Sequence, residues 1–134
     1  RFDVRQKLQQ WLITPAHFNE IIEALEDENF LNEQRFARAY TNDKFRFEKW
    51  GKGKIRMGLK QKNVDPLLIT DALNTINNTD YRQMALDLLA KKEAQINKEK
   101  YNTYEQKQKK AAYLIQKGYE PNLIWELLGS NWDD

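Results

Sequence analysis

Ten basic residues crowd positions 35–62: Arg35, Arg38, Lys44, Arg46, Lys49, Lys52, Lys54, Arg56, Lys60 and Lys62, against only Asp43 and Glu48. Threaded among them are Phe36, Tyr40, Phe45, Phe47 and Trp50. Cations neutralise phosphates or carboxylates, and aromatic faces stack on bases, so this mixture has the composition of a polyanion-binding surface. The cations themselves must face solvent, because unpaired charge is rarely buried. Phe36 and Tyr40 share one helical face and are expected in the core. Phe45 and Trp50 fit that stripe less cleanly; either they pack between structural units or they stand exposed for a partner.

Other chemistries lack their parts. There is no cysteine, one histidine (His17) and one serine (Ser130, in the tail), which removes thiol catalysis, Cys-ligated zinc and a Ser–His dyad. Gly51-Lys52-Gly53-Lys54 invites a phosphate-loop reading, but that loop needs four residues between its glycines and a Lys-Ser/Thr after them. A flexible hinge that opens a helix is expected there instead, with N–H groups and lysines able to meet a phosphate or carboxylate. Glu26-Asp27-Glu28 and Asp133-Asp134 lack the alternating spacing of a calcium loop and read as solvated acidic ends. No catalytic, cofactor-binding or metal site is expected.

The charge is segregated. Residues 1–34 carry net −4, 35–62 net +8, 63–90 net −3, 91–117 net +5 and 118–134 net −4, for +2 over 134 residues. Such alternation suits a protein that grips a charged polymer, or a set of solvated helix faces. With 40% hydrophobic residues and four Trp, six Tyr and six Phe, the chain can bury a modest core. No apolar run approaches the roughly 20 residues of a membrane span, and the absence of cysteine is compatible with a reducing cytosol. The chain starts at Arg1 rather than Met, so a trimmed targeting segment stays an open alternative.

The elements that must carry these residues repeat. The three prolines are Pro15, Pro66 and Pro121. Seven positions before them stand Leu8, Leu59 and Leu114; two before, Ile13, Val64 and Tyr119; three after, Phe18, Ile69 and Ile124. Six and seven after come Ile21-Ile22, Ala72-Leu73 and Leu127-Leu128. Apolar residues at +3, +6 and +7 make the stripe of an amphipathic helix, and proline suits its first turn. Thr14 and Asp65 can cap, Glu120 more weakly. Asn63 and Gly118 tolerate the left-handed turn that closes the preceding helix. Asn32 is expected to cap a further helix, and Thr103 with Gln106 to form a capping box. Eight helices follow, at about 2–12, 15–28, 32–48, 52–62, 66–77, 80–98, 103–117 and 121–129. The expected fold is all-α, with tandem three-helix repeats at 1–49, 50–100 and 101–134, the last incomplete. Such units bury their stripes against neighbours and are expected to form an elongated, curved array without a deep cleft. Hinges are expected at Gly51–Gly53 and Asn97–Asn102.

These residues also carry a family resemblance. Leu31-Asn32-Glu33-Gln34-Arg35-Phe36-Ala37-Arg38-Ala39-Tyr40 resembles the signature of RecX, the bacterial regulator of the RecA recombinase. Lys52 to Val64 resembles a second stretch of that family, Gln116-Lys117-Gly118-Tyr119 repeats its end, and Asp3 to Leu8 resembles the family's opening. Asn63 stands where the family usually has glycine, and Lys110 where Val4 and Ile55 stand in the other copies. The resemblance implies a non-enzymatic modulator. It would lie in the groove of the RecA–DNA filament and restrain strand exchange, ATP hydrolysis and coprotease activity. The partners implied are the RecA filament and single- or double-stranded DNA, bound weakly or through RecA, by a cytoplasmic monomer away from membranes. Leu31, Phe36, Ala37 and Tyr40 are expected to be core. The binding candidates are Arg38, Arg46, Lys49, Lys52, Lys54, Arg56 and Lys60, with a weaker set at Lys107, Lys109 and Lys110. The alternatives are an autonomous helical DNA-binding protein with no RecA partner, and a passive scaffold.

Overall fold

The computed structural model describes the backbone of residues 15–129 and the side chains of residues 26–129. The described residues form six helices and no strand: α1 (Pro15–Arg46), α2 (Lys52–Gln61), α3 (Pro66–Asn74), α4 (Asn78–Gln95), α5 (Thr103–Lys117) and α6 (Pro121–Leu128). The chain divides into two compact units, residues 1–36 and 37–134. The expected helix 2–12, the Thr14 cap, Leu8, Ile13 and the Asp133-Asp134 pair lie outside the described residues. So do the side chains of His17, Phe18, Ile21 and Ile22.

The largest departure from the sequence reading is α1, which runs without a break where two helices, 15–28 and 32–48, are expected. Asn32 sits inside it. No glycine or proline lies between Ala16 and Arg46. An asparagine inside a helix costs only about 0.5–0.7 kcal/mol relative to alanine, less than opening several backbone hydrogen bonds. The helix ends where Lys49 turns left-handed (φ 61°) and the Trp50 N–H returns to the Lys44 carbonyl at 3.0 Å.

The copies centred on Pro66 and Pro121 show the proline-centred repeat in atomic detail. The matching pairs Leu59 and Leu114, Val64 and Tyr119, and Ile69 and Ile124 are all buried. Asn63 (φ 59°) and Gly118 (φ 100°) are both left-handed. Each closes its helix with the equivalent bond: Val64 N–H to the Leu59 carbonyl at 3.2 Å, and Tyr119 N–H to the Leu114 carbonyl at 3.1 Å. Asp65 caps α3 through the Leu67 N–H at 2.9 Å. Glu120 makes no cap, because its carboxylate is engaged elsewhere. The capping box of α5 lies one residue earlier than expected. Asn102 accepts from the Glu105 N–H at 2.8 Å, and Glu105 accepts from the Asn102 N–H at 3.2 Å. Asparagine caps at least as well as threonine, and a carboxylate in the first turn also complements the helix dipole.

Helices α4, α5 and α6 pack on one another, and α2 packs on α3. One apolar core joins Phe45, Ile55 and Leu59 to Leu68, Leu88 and Leu114. Neither expected hinge is loose. The Gly51 N–H donates to the Lys117 carbonyl at 2.8 Å, and the Gly53 N–H to that of Gly118 at 2.9 Å. A Cβ on Gly51 would fall inside the backbone of Gly118 and Tyr119. At Gly51 the absence of a side chain lets two backbones touch. At 97–102, the Asn97 side chain accepts from the Glu99 and Lys100 N–H groups, and Gln106 donates to the Tyr101 carbonyl, so the turn has its own hydrogen bonds.

Candidate functional site

Helix α1 buries the stripe Ala37, Thr41 and Phe45, each four positions from the next. That places Phe36 and Tyr40 about 100° to one side. Phe36 is therefore exposed, as is Leu31, and Tyr40 is half-buried, so only Ala37 of the four expected core residues is in the core. Phe45 packs inward, 5.9 Å from the ring of Tyr81, while Phe47 is exposed.

Tyr81 organises the joint beside it. Its ring stacks on Tyr119 at 5.1 Å. Its hydroxyl accepts from the Lys52 N–H at 2.8 Å and donates to Glu120 Oε1 at 2.7 Å. The Tyr119 hydroxyl donates to the Lys49 carbonyl at 3.1 Å. Burial pushes both phenols far above the ordinary tyrosine range, with Glu120 adding to the effect, so both stay protonated. These contacts fix the start of α2 against the starts of α4 and α6.

On the other side of α2 lies a groove of about 630 Å3. Tyr40 and Trp50 flank it, and Gly53, Gly58 and Gly118 keep its floor low. A Cβ on Gly58 would meet the Tyr40 hydroxyl, so the glycine lets that ring lie close against α2. Lys44 and Lys54 each place an ammonium over Trp50, at 4.8 and 4.7 Å from the ring centre. Lys44 and Lys62 lie over Tyr40 at 5.5 and 5.9 Å. The interleaving of aromatics and cations thus becomes a cation-rimmed aromatic groove, where a long surface without a cleft is expected.

The predicted binding residues divide. Lys54 lines the groove. Lys52 leans onto Tyr81, its ammonium 4.8 Å from the ring centre. Lys49, Arg56 and Lys60 are exposed, and Arg46 donates to Asn42 at 2.8 Å. Arg38 differs from the free cation expected: it forms a two-pronged ion pair with Asp71, both bonds 2.9 Å. Lys110 differs more. It takes the place of Ile55 in the repeat, so its stem is drawn inward to 15% side-chain exposure and its ammonium meets Glu93 at 3.2 Å. Lys107 is half-buried, and Lys109 lies 4.1 Å from the ring centre of Tyr101. Lys100 and Lys109 hold the Tyr101 hydroxyl below its usual range.

The sequence places Lys44 and Lys62 in the basic stretch without singling them out, and Met57 and Ile115 escape it. Their signal is register: Met57 and Ile115 are apolar yet out of step with the buried pairs Ile55/Leu59 and Ala111/Leu114. Among the described residues, no group of three or more His, Cys, Asp or Glu could hold a metal ion. Among them, too, no helix is long and apolar enough to cross a membrane.

The helices that build this surface match two family models. Residues 32–73 match the second three-helix domain of RecX, and residues 79–128 match the third. The chain belongs to the RecX family. The regulatory protein RecX of Clostridium perfringens strain 13 is 30% identical over 118 residues, spanning 88% of this chain and 55% of the relative. That of Clostridium botulinum strain Eklund 17B is 30% identical over 125 residues, spanning 93% and 58%. That of Haemophilus influenzae strain PittEE is 29% identical over 136 residues, spanning 98% and 87%. The chain spans about half the length of the clostridial relatives. No solved structure matches it. Each matched segment takes in three helices: the end of α1 with α2 and α3, then α4 with α5 and α6.

Proposed function

We propose that the protein is a non-enzymatic regulator that binds the RecA–DNA filament and restrains its strand exchange, ATP hydrolysis and coprotease activity in DNA repair and recombination. Membership of the RecX family carries this reading. Its relatives are named regulatory proteins. The geometry supports a binding role: the exposed cations of α2, Lys54, Arg56 and Lys60, stand beside a groove rimmed by Lys44 and Lys62. The site of action is cytoplasmic, with DNA met weakly or through RecA.

The test is single-stranded-DNA-dependent ATP hydrolysis by the cognate RecA, titrated with this protein after filaments have formed. Inhibition well below one copy per RecA is the expected result. Joint charge reversal of Lys52, Lys54 and Arg56 should weaken it while leaving helicity unchanged. No inhibition, alongside tight RecA-independent DNA binding whose logarithm falls about 0.9 per phosphate with the logarithm of salt concentration, would instead establish an autonomous DNA-binding protein.

A further inference from the structure

The groove contains features that phosphate neutralisation does not use. Met57 on α2 and Ile115 on α5 are exposed at 62% and 49%, and both line it. Pro121, at the start of α6, adds a third apolar group, and the lining as a whole is mainly apolar. Holding such groups in water is unfavourable, and contiguous apolar surface of this kind marks interaction sites. Methionine at a binding surface adapts to differently shaped apolar side chains. The rim, by contrast, is cationic: Lys54 lines the groove, and Lys44 and Lys62 lie over the Trp50 and Tyr40 rings that flank it. The one acid in the lining, Glu120, is held by the Tyr81 hydroxyl.

Bases fit this arrangement poorly. The rings that would stack on them, Trp50 and Tyr40, already carry ammonium groups. The Tyr119 hydroxyl is taken by the Lys49 carbonyl, and besides Tyr40, Trp50, Lys54 and Glu120 the lining then offers only Gln61 and Gln116 as side chains able to read a base edge. A peptide fits well. About 630 Å3 lies within the ~300–1,000 Å3 of sites that enclose a ligand-sized group. A helix or strand with apolar anchors on one face and carboxylates beside them would satisfy floor and rim together. We propose that this groove docks an acidic peptide segment of the partner protein, anchored by apolar side chains. The inference rests on the reading that the protein acts by binding another protein, and it names the chemistry of the contact.

The test uses the full chain and three fluorescein-labelled probes followed by anisotropy. They are a short amphipathic peptide of glutamates with leucine and phenylalanine at helical spacing, the same peptide with lysine for every glutamate, and an oligothymidylate. The glutamate peptide should bind and the lysine peptide should not. Met57→Gln with Ile115→Gln should weaken binding about tenfold or more, as loss of apolar anchors does. Lys54→Glu with Lys62→Glu should weaken it comparably, and Lys91→Glu with Lys98→Glu, at exposed positions away from the groove, should leave it unchanged. The substituted groups are exposed, so thermal unfolding should not move. Failure of the glutamate peptide to bind, equal binding of the lysine peptide, or loss of oligothymidylate binding in the Met57/Ile115 variant would each overturn the proposal. If the peptide fails while RecA ATPase inhibition persists, the regulatory reading stands without this groove. If the peptide binds and RecA is unaffected, the groove stands and the regulatory reading falls.

Discussion

Replacing Gly51 by alanine distinguishes a clamp from a hinge. In its extended conformation (φ −77°, ψ 170°) alanine is unstrained. If Gly51 were a hinge, the substitution would stabilise the fold by about 0.4–1 kcal/mol through the unfolded chain. The structure demands the opposite sign. The added methyl group meets the backbone of Gly118 and Tyr119, which cannot rotate away as a side chain would. The end of α5 must retreat, at an overpacking cost of about 1–3 kcal/mol. Retreat stretches the bonds from Gly51 to Lys117 and from Gly53 to Gly118, each worth about 1 kcal/mol. Subtracting the chain-entropy gain leaves a loss of roughly 2–4 kcal/mol, or roughly 10 °C in melting temperature for a chain of this size. Gly53→Ala is the internal control. Its methyl group meets one carbonyl oxygen at 2.9 Å, and removing glycine from inside α2 returns about 1 kcal/mol, so its net effect should stay within about 1 kcal/mol. Thermal unfolding of both variants followed by circular dichroism decides the matter. A neutral or stabilised Gly51→Ala protein, or equal losses in the two variants, would refute the clamp.

Tyr81→Phe leaves the Lys52 N–H and the Glu120 carboxylate without their shared partner and should cost about 2–4 kcal/mol by denaturant unfolding, whereas Tyr119→Phe, which loses one bond to the Lys49 carbonyl, should cost about 1 kcal/mol. Because folding raises both phenol pKa values, the folded state holds protons that the unfolded state releases. Stability should be flat below about pH 10 and fall as pH rises above it, and less steeply in the Tyr81→Phe protein. Asn63→Gly should raise stability by up to about 1 kcal/mol, since φ 59° is natural for glycine; a loss would mean the asparagine side chain has a role of its own.

What was legible in the sequence was local. Pro66 and Pro121, the buried residues at fixed offsets from them, the left-handed Asn63 and Gly118 and the Asp65 cap are written in stretches of a dozen residues, where spacing determines the hydrogen bonds. Helix α1 was misread because a favourable cap residue does not end a helix unless something forces the backbone out. The rest depends on residues far apart in the chain. Nothing near Gly51 reveals that Gly118 lies against it, and nothing near Lys110 reveals Glu93. The basic stretch predicted a charged surface, but the groove needed Ile115 and Pro121 from two later helices to become visible.

The bonds that tie the start of α2 to the end of α5 also bear on the order in which the protein is made. The Lys49 carbonyl waits for a hydroxyl 70 residues later, and Gly51 and Gly53 wait for carbonyls nearly as distant. A chain emerging from the ribosome completes α2 and α3 long before those partners exist. Until Lys117 and Gly118 emerge, the Gly51 and Gly53 N–H groups can bond only to water, and until Tyr119 emerges the inner face of Phe45 has no Tyr81–Tyr119 stack to cover it. Synthesis of this part of the molecule should therefore run ahead of its folding, leaving an interval in which a nascent-chain chaperone finds an apolar target.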